Sequence, residues 1–405
     1  MKYWRGYLTA AILAAFTWVL IQMGQKYTTL VDMVYPYVTR SVQSFLTAWT
    51  GGVDFLVWQT AVLFLIILLI ATLVLVFIFR AKVIRWLGWA LAAIAVVVML
   101  HTGVYGLNRY AGPIEDDLRL DMVDYTQTEL EAATIFYRDM ANGLAPQIRD
   151  ENGGYVTSDF ETLAAITGDG FRTLARERSY SIFGGDYTPV KKLGWSGLYT
   201  SLGKSGVFVP LTGEAAVNPD IPGYALPFAM AQQMARRLCI AREGEVDFAA
   251  FLACTENEDL EYQYSGYFMA FQICRAALFS VDQAAAEAID EGVCSELYQD
   301  LNELGDFFLQ NRDEDLTNLV TTVTDTYEEA TTDQEVRYSS ACDYLVNWHI
   351  DQYVEEEIVE EKFDPFDETQ VDLSGLGNYK PQENQETQET QETQETQENT
   401  EDGGE

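Results

Sequence analysis

ALPFAMAQQMARRLCIAREGEVDFAAFLAC, residues Ala225–Cys254, is the stretch whose spacing decides how the chain is read. Pro227 suits the first turn of a helix, where its missing N–H is not needed, and Phe228, Ala231, Ala235, Leu238 and Cys239 then recur at helical spacing. One apolar stripe therefore faces a core. Gln232 and Arg236 lie one turn apart beside that stripe. Gly244 reads as a break that opens a second, mostly apolar helix through Val246, Phe248, Phe251 and Leu252, with Glu243 and Glu245 where that helix begins.

Two residues one turn apart, followed by an acidic residue on the next helix, is the layout of an H-E-x-x-H zinc peptidase. There, two His at i and i+4 hold the metal and the intervening Glu serves as general base. Here the five positions read Gln232, Gln233, Met234, Ala235 and Arg236. A Gln amide does not accept a proton from water, and a guanidinium repels a metal cation. The frame of an active site is present without its reactive groups.

Outward from this stretch, composition divides the 405 residues sharply. Met1–Tyr110 carries eight Lys or Arg against two Asp, although the whole chain has 62 Asp and Glu against 25 Lys and Arg and a net charge of −37. The acidity therefore lies beyond Tyr110. A surface so negative disfavours nucleic acid and anionic lipid as partners there and favours solubility. The five cysteines, Cys239, Cys254, Cys274, Cys294 and Cys342, show no C-x-x-C spacing, which excludes a zinc ribbon or a thioredoxin-type pair. Their odd number leaves at least one thiol free.

Three apolar runs precede the acidic part. Gly6–Gln25 has no charged residue and follows Lys2 and Arg5; Val57–Phe79 and Trp86–Leu107 are each near the ~20 residues that span a bilayer. Lys2 and Arg5, and then Arg80, Lys82 and Arg85, place both basic clusters in the cytoplasm by the positive-inside rule, and the large C-terminal part outside. The Gln25–Gln59 connection is then also outside, with Tyr35, Tyr37, Trp49 and Trp58 available to the membrane interface. His101, near the outer end of the third run, reads as a satisfied intramembrane residue.

Beyond the spans, Pro113–Arg149 reads as amphipathic helix interrupted near Thr126, and Phe160–Arg178 as a helix broken at Gly168 and Gly170. Gly184–Gly206 reads as loop, with Lys191 and Lys192 an isolated basic pair. Val207–Val217 alternates about a Thr212–Gly213 turn, which predicts a short β-hairpin. Leu260–Val281, Ala284–Leu297, Leu301–Gln310, Leu316–Tyr327 and Tyr338–Val359 read as helices, so the domain is mainly α. Tyr262, Tyr264 and Tyr267 are candidates to line a groove. The QET repeat in Glu383–Asn399 is too polar to bury a core and predicts a disordered acidic tail. The organisation expected is a three-span region over 1–110, a helical domain over 111–365 and the tail over 366–405.

The three spans, GLNRY at Gly106–Tyr110, FVPLTGEAAVNPDIPGYALPF from Phe208, AREGEVDFAAFLAC and YSGY at Tyr264–Tyr267 together resemble a bacterial membrane-anchored family. It is domain-of-unknown-function family 3810, related to zinc peptidases. The similarity covers about Tyr7 to Tyr353 and is strongest from Phe208 to Tyr267. In that family the helix after the hairpin carries H-E-x-A-H, followed by an A-R-E-x-E-A-N-F-like segment. The resemblance thus puts Gln232 and Arg236 at the two His positions, Gln233 at the general-base position, and Glu243 or Glu245 at the third ligand. It implies a zincin-like extracytoplasmic domain whose zinc is expected to be absent here. The function expected is a pseudopeptidase that binds a peptide, an envelope component or a protein partner without cleaving it. The alternatives are a hydrolase with an altered site and a purely structural surface protein.

Overall fold

The computed structural model describes residues 4–78, 83–150, 153–156, 158–314, 317–318 and 340–354. Three helices are long and apolar enough to cross a membrane: α1 (Arg5–Lys26), then, after α2 (Thr28–Thr50), α3 (Val57–Ile78) and α4 (Val83–Val104). Their apolar side chains are mostly exposed, as hydrocarbon-facing residues are. α1 and α4 run parallel, with Gly6 against the backbone of Gly88 at one end and Gly24 against the ring of Tyr110 at the other. Small residues let the two backbones approach closely. α3 stands apart: Gln59 is its one buried residue, and its Thr72 hydroxyl accepts from Trp86 Nε1 at 3.1 Å.

The connection between the first two spans is helical for 23 residues as α2, although Pro36 lies inside it. At its far end, the first turn of α3 is held by the domain. Val57 and Trp58 donate their backbone N–H groups to the Glu214 carboxylate, each at 2.9 Å, satisfying two of the donors that a helix start leaves open.

After a tight turn at Gly106–Tyr110 the helical domain begins with α5 (Ile114–Leu118) and an extended stretch to Thr126. Thr126 and Glu129 form a capping box that starts α6 (Gln127–Leu144), so the interruption expected near Thr126 is a helix start. α7 (Phe160–Arg176) follows, capped by Asp159. It runs unbroken through Gly168 and Gly170, contrary to the expectation. Gly170 is there for packing, since a Cβ would lie 1.8 Å from the carbonyl oxygen of Ala253.

A three-stranded sheet occupies the middle of the chain. β1 (Lys191–Lys192) leads through α8 (Ser196–Ser201) to the hairpin of β2 (Gly206–Val209) and β3 (Glu214–Val217), in the order β1-β3-β2. β3 is parallel to β1 and antiparallel to β2, with Val207 opposite Ala216. Lys191 is not isolated: its ammonium donates to buried Glu214 at 2.9 Å and to the carbonyls of Thr50 and Phe55.

The core is built on α9 (Leu226–Arg237), α10 (Glu243–Thr255) and α11 (Leu260–Val281), with α12 (Gln283–Asp290), α13 (Ser295–Asn311) and α14 (Ala341–His349) around them. Phe248 and Tyr344 stack with ring centroids 5.3 Å apart, and both are fully buried. Burying each such ring stabilises the fold by roughly 1.5–3 kcal/mol. The break expected between Leu297 and Leu301 falls instead at Glu291–Cys294, so α13 continues where a gap was read. All five cysteines are free; four are buried and Cys294 is half-buried. Most of the helix expected over 316–327, the end of that over 338–359, and the acidic tail lie outside the described residues.

Candidate functional site

α9 is placed by its own first turn. Pro227 sits there as expected, and the Phe228 N–H, which has no partner within the helix, donates to Ser265 Oγ on α11 at 3.1 Å. Phe228, Ala231, Met234 and Ala235 are buried, which turns the Gln232–Arg236 edge toward α10. The helix ends where Cys239 takes a left-handed conformation (φ 72°), with Cys239 N–H on Arg236 O and Ile240 N–H on Ala235 O. This is the terminating pattern usually built on glycine. The break between the helices is therefore Leu238–Arg242, and Gly244 lies inside the first turn of α10 rather than before it.

Of the five positions from Gln232 to Arg236, the first and the last face α10, in two rungs. Gln232 Nε2 donates to Asp247 Oδ1 at 2.6 Å, and its Oε1 is 3.5 Å from Ser205 Oγ. One turn on, the Arg236 guanidinium pairs with the Glu243 carboxylate. Gln232 and Arg236 are four apart on α9, as Glu243 and Asp247 are on α10, so the two edges meet pair for pair. The lower rung is open to solvent: the side chain of Arg236 is 21% exposed and that of Glu243 70%.

Glu245 does not belong to this seam. It is buried on another face of α10, where it pairs with Arg242 at 2.6 Å and accepts from the Ile114 N–H at 3.2 Å, tying the start of α5 to α10. Burial raises its carboxyl, opposed by Arg242. Of the two acidic candidates, the structure puts Glu243 opposite Arg236. Asp247 is marked in the sequence only by its spacing of four from Glu243. Burial pushes Asp247 up to about 6, against the lowering effect of its hydrogen bond from Gln232.

Gln233 points away from the seam. It is 2% exposed, its Oε1 accepts no hydrogen bond, and its side chain packs on Gly206 of β2, where a Cβ would come within 3.0 Å. β2 and α9 are thus in close contact. Tyr105, just beyond α4, closes this side: its ring meets Phe208 of β2 edge-on at 5.4 Å, and its hydroxyl donates to Ile240 O at 3.0 Å.

Two of the three tyrosines offered as groove residues are enclosed and the third is half-buried. Tyr262 and Tyr264 are fully buried, the first donating to Leu163 O at 2.7 Å and the second to the Asp300 carboxylate, while Tyr267 packs edge-on against Phe251. On a helix buried on most sides, Tyr262 and Tyr264 enter the core, and Tyr267 packs against it from the edge. His101 likewise stands edge-on to Tyr105, and His349 packs against Phe136.

These donors do not fit the zinc that the resemblance implies. Two amide side chains and a guanidinium stand at the places of two imidazoles and a base, and Arg236 already occupies one of the two facing carboxylates. Among the described residues, no group of three or more His, Cys, Asp or Glu is placed to hold a metal ion.

A family model described as "Protein of unknown function (DUF3810)" matches residues 31–346. The chain belongs to this family. The DUF3810 match runs from α2 into α14 and so contains the seam, the hairpin and two of the three candidate spans. No curated protein and no solved structure matches.

Proposed function

We propose that this DUF3810 protein is a membrane-anchored, extracytoplasmic pseudopeptidase that binds an extended peptide, or an envelope protein presenting one, without cutting it. The observation that carries this reading is the seam itself. Residues spaced as a zinc-peptidase site are engaged with one another, Gln232 with Asp247 and Arg236 with Glu243, directly beside β2. Among the described residues β2 pairs on one side only, with β3, and an unpaired strand edge is a place for a peptide to add by main-chain hydrogen bonds. Charge on the seam would select the peptide: Glu243 projects into solvent and favours a basic side chain.

The test is to rebuild the site. The full-length triple variant Gln232→His, Gln233→Glu, Arg236→His should take up one zinc per chain, while the natural protein takes up none and retains library peptides uncut. Failure of the variant to bind zinc would overturn the zinc-peptidase relationship; zinc or peptide cleavage in the natural protein would overturn the pseudoenzyme. A second reading, a hydrolase with an altered site, is favoured by Asp247 alone, because a carboxyl pushed up to about 6 is suited to acid–base work. Cleavage lost on Asp247→Asn would decide for it. Sidedness rests on the basic clusters, and Val83→Cys and Gln385→Cys variants test it with an impermeant thiol reagent. Labelling of 83 but not 385 from outside would reverse the topology.

A further inference from the structure

The helix between the first two spans is amphipathic in the wrong sense for water. The buried residues of α2 are polar but for Val31: Thr39, Gln43, Thr47 and Thr50. Thr39 is 3.1 Å from Asn108 Oδ1, Thr47 donates to Gly213 O at 3.0 Å, and Thr50 to Thr212 O at 3.1 Å. Both of its charged residues are also spent on the domain. Asp32 accepts the Gly112 N–H at 2.8 Å, and Arg40 donates to the carbonyls of Leu238 and Ser181. The opposite face carries Leu30, Met33, Tyr37, Phe45 and Trp49, all more than 60% exposed, with Val34 and Val38 between them and no charge. At 100° per residue these positions form one broad stripe.

A helix that gives its polar face to protein and its apolar face to the surroundings is surrounded by something apolar. Continuity says what that is. α1 ends at Lys26, where non-helical Tyr27 turns the chain, and α3 begins at Val57, so both ends of α2 are joined to helices long and apolar enough to cross the bilayer. Between them α2 extends about 34 Å at 1.5 Å per residue. It touches the domain near both ends, at Gly112 and at Thr212, so it runs along the domain rather than away from it. Tyr27, Tyr37 and Trp49 are the residue types that collect at the headgroup level.

We propose that α2 lies in the membrane interface on the domain's side, its Leu30–Trp49 stripe among the acyl chains and its threonine face carrying the domain. The bilayer is then the partner of α2 as well as of the three spans. Arg40, on the domain-facing side of α2, donates to the Leu238 carbonyl at the end of α9 at 3.0 Å, so α2 is tied directly to the helix that carries the Gln232–Arg236 edge.

The experiment places the photoreactive residue p-benzoylphenylalanine at Phe45 in the full chain, in native membranes fed radiolabelled phospholipid. Ile67 in α3 is the lipid-facing control and Tyr298 in α13 the water-facing one. Lipid adducts at Phe45 as abundant as at Ile67, and none at Tyr298, are expected. Adducts to a second copy or to another protein at Phe45, or no lipid adduct there while Ile67 gives one, would overturn the proposal. If the Phe45 variant fails to insert, the same probe at Met33 reads the same stripe with the same outcomes.

Discussion

Two polar clusters in the helical domain invite comparison. The α9–α10 seam joins Gln232 to Asp247 and Arg236 to Glu243 across neighbouring helices, close in sequence and partly open to solvent. The second cluster lies deep. Arg149, just after α6, pairs with Asp300 on α13, with side chains only 5% and 2% exposed, and Tyr264 of α11 donates to the same carboxylate. Tyr224 adds a bond to the Asp300 carbonyl at 2.8 Å. The four residues come from four separate parts of the chain. The seam has the spacing of chemistry and little energetic weight, whereas the buried knot has no motif and holds three helical segments together. A charge in water is screened and replaceable; a charge in the core must keep its partner.

The largest effect expected from this difference is at Asp300. Asp300→Ala leaves Arg149 buried and unpaired and removes the acceptor of Tyr264, which should cost about 3–5 kcal/mol. Denaturant unfolding of the full chain in detergent measures it, and a loss below about 1 kcal/mol would erase the contrast between the clusters. Next is the upper rung of the seam. The folded-state carboxyl of Asp247 is raised to about 6, above its unfolded value, so the folded state binds the proton more tightly. Stability attributable to this group is therefore highest below the unfolded pKa and falls as pH rises through about 6, by at most ~3 kcal/mol. In Asp247→Asn that fall should vanish while the amide still accepts from Gln232; melting curves at pH 5 and pH 7.5 check it. An unchanged pH slope would mean that Asp247 is hydrated. A smaller loss, about 1–3 kcal/mol, is expected for Glu245→Ala, because Arg242 keeps the carbonyls of Ala111 and Gly112 while the Ile114 N–H is left without its acceptor. Chemical denaturation of that variant gives the value directly.

How much of this was legible depended on whether the period of the sequence had one explanation. In α9 the apolar stripe through Phe228, Ala231 and Ala235 faces the core and the polar edge faces out, so the helix and its two slot residues are readable from spacing. In α2 the stripe faces away from the protein, and the polar residues Thr39, Gln43 and Thr47 are the packed ones. A reading that sends apolar residues inward has no place for such a helix and leaves only a connection there. Gly168 and Gly170 misled for a related reason: a glycine that breaks a helix and one that admits Ala253 against it look alike in one sequence. Tyr262, Tyr264 and Tyr267 are ambiguous by spacing alone, and the enclosure of α11 decides the first two. Asp247 and Asp300 differ in kind. The first stood four residues from a residue already chosen, and the second is joined to Arg149 by nothing but the fold.

The smallest effect expected is at the residue that most nearly suggests a replaced metal ligand. Arg236 does reach a carboxylate of α10, so the two helices are tied at that point. Yet Glu243 is 70% exposed, and a pair held in water gains little Coulomb energy and loses side-chain entropy in forming. Arg236→Ala should therefore cost less than ~1 kcal/mol, and the difference should shrink further in high salt, where exposed charges are screened. The melt of the variant is to be run at low and high ionic strength beside zinc analysis of both proteins. A loss of several kcal/mol would mean that the seam closes over Arg236 when the protein is in its membrane, and would move this pair into the same class as Arg149 and Asp300. An unchanged melt with no zinc in either protein leaves Arg236 a partly exposed group whose pair with Glu243 adds nothing to the fold, so that Glu243 is free to take a basic side chain of a ligand instead.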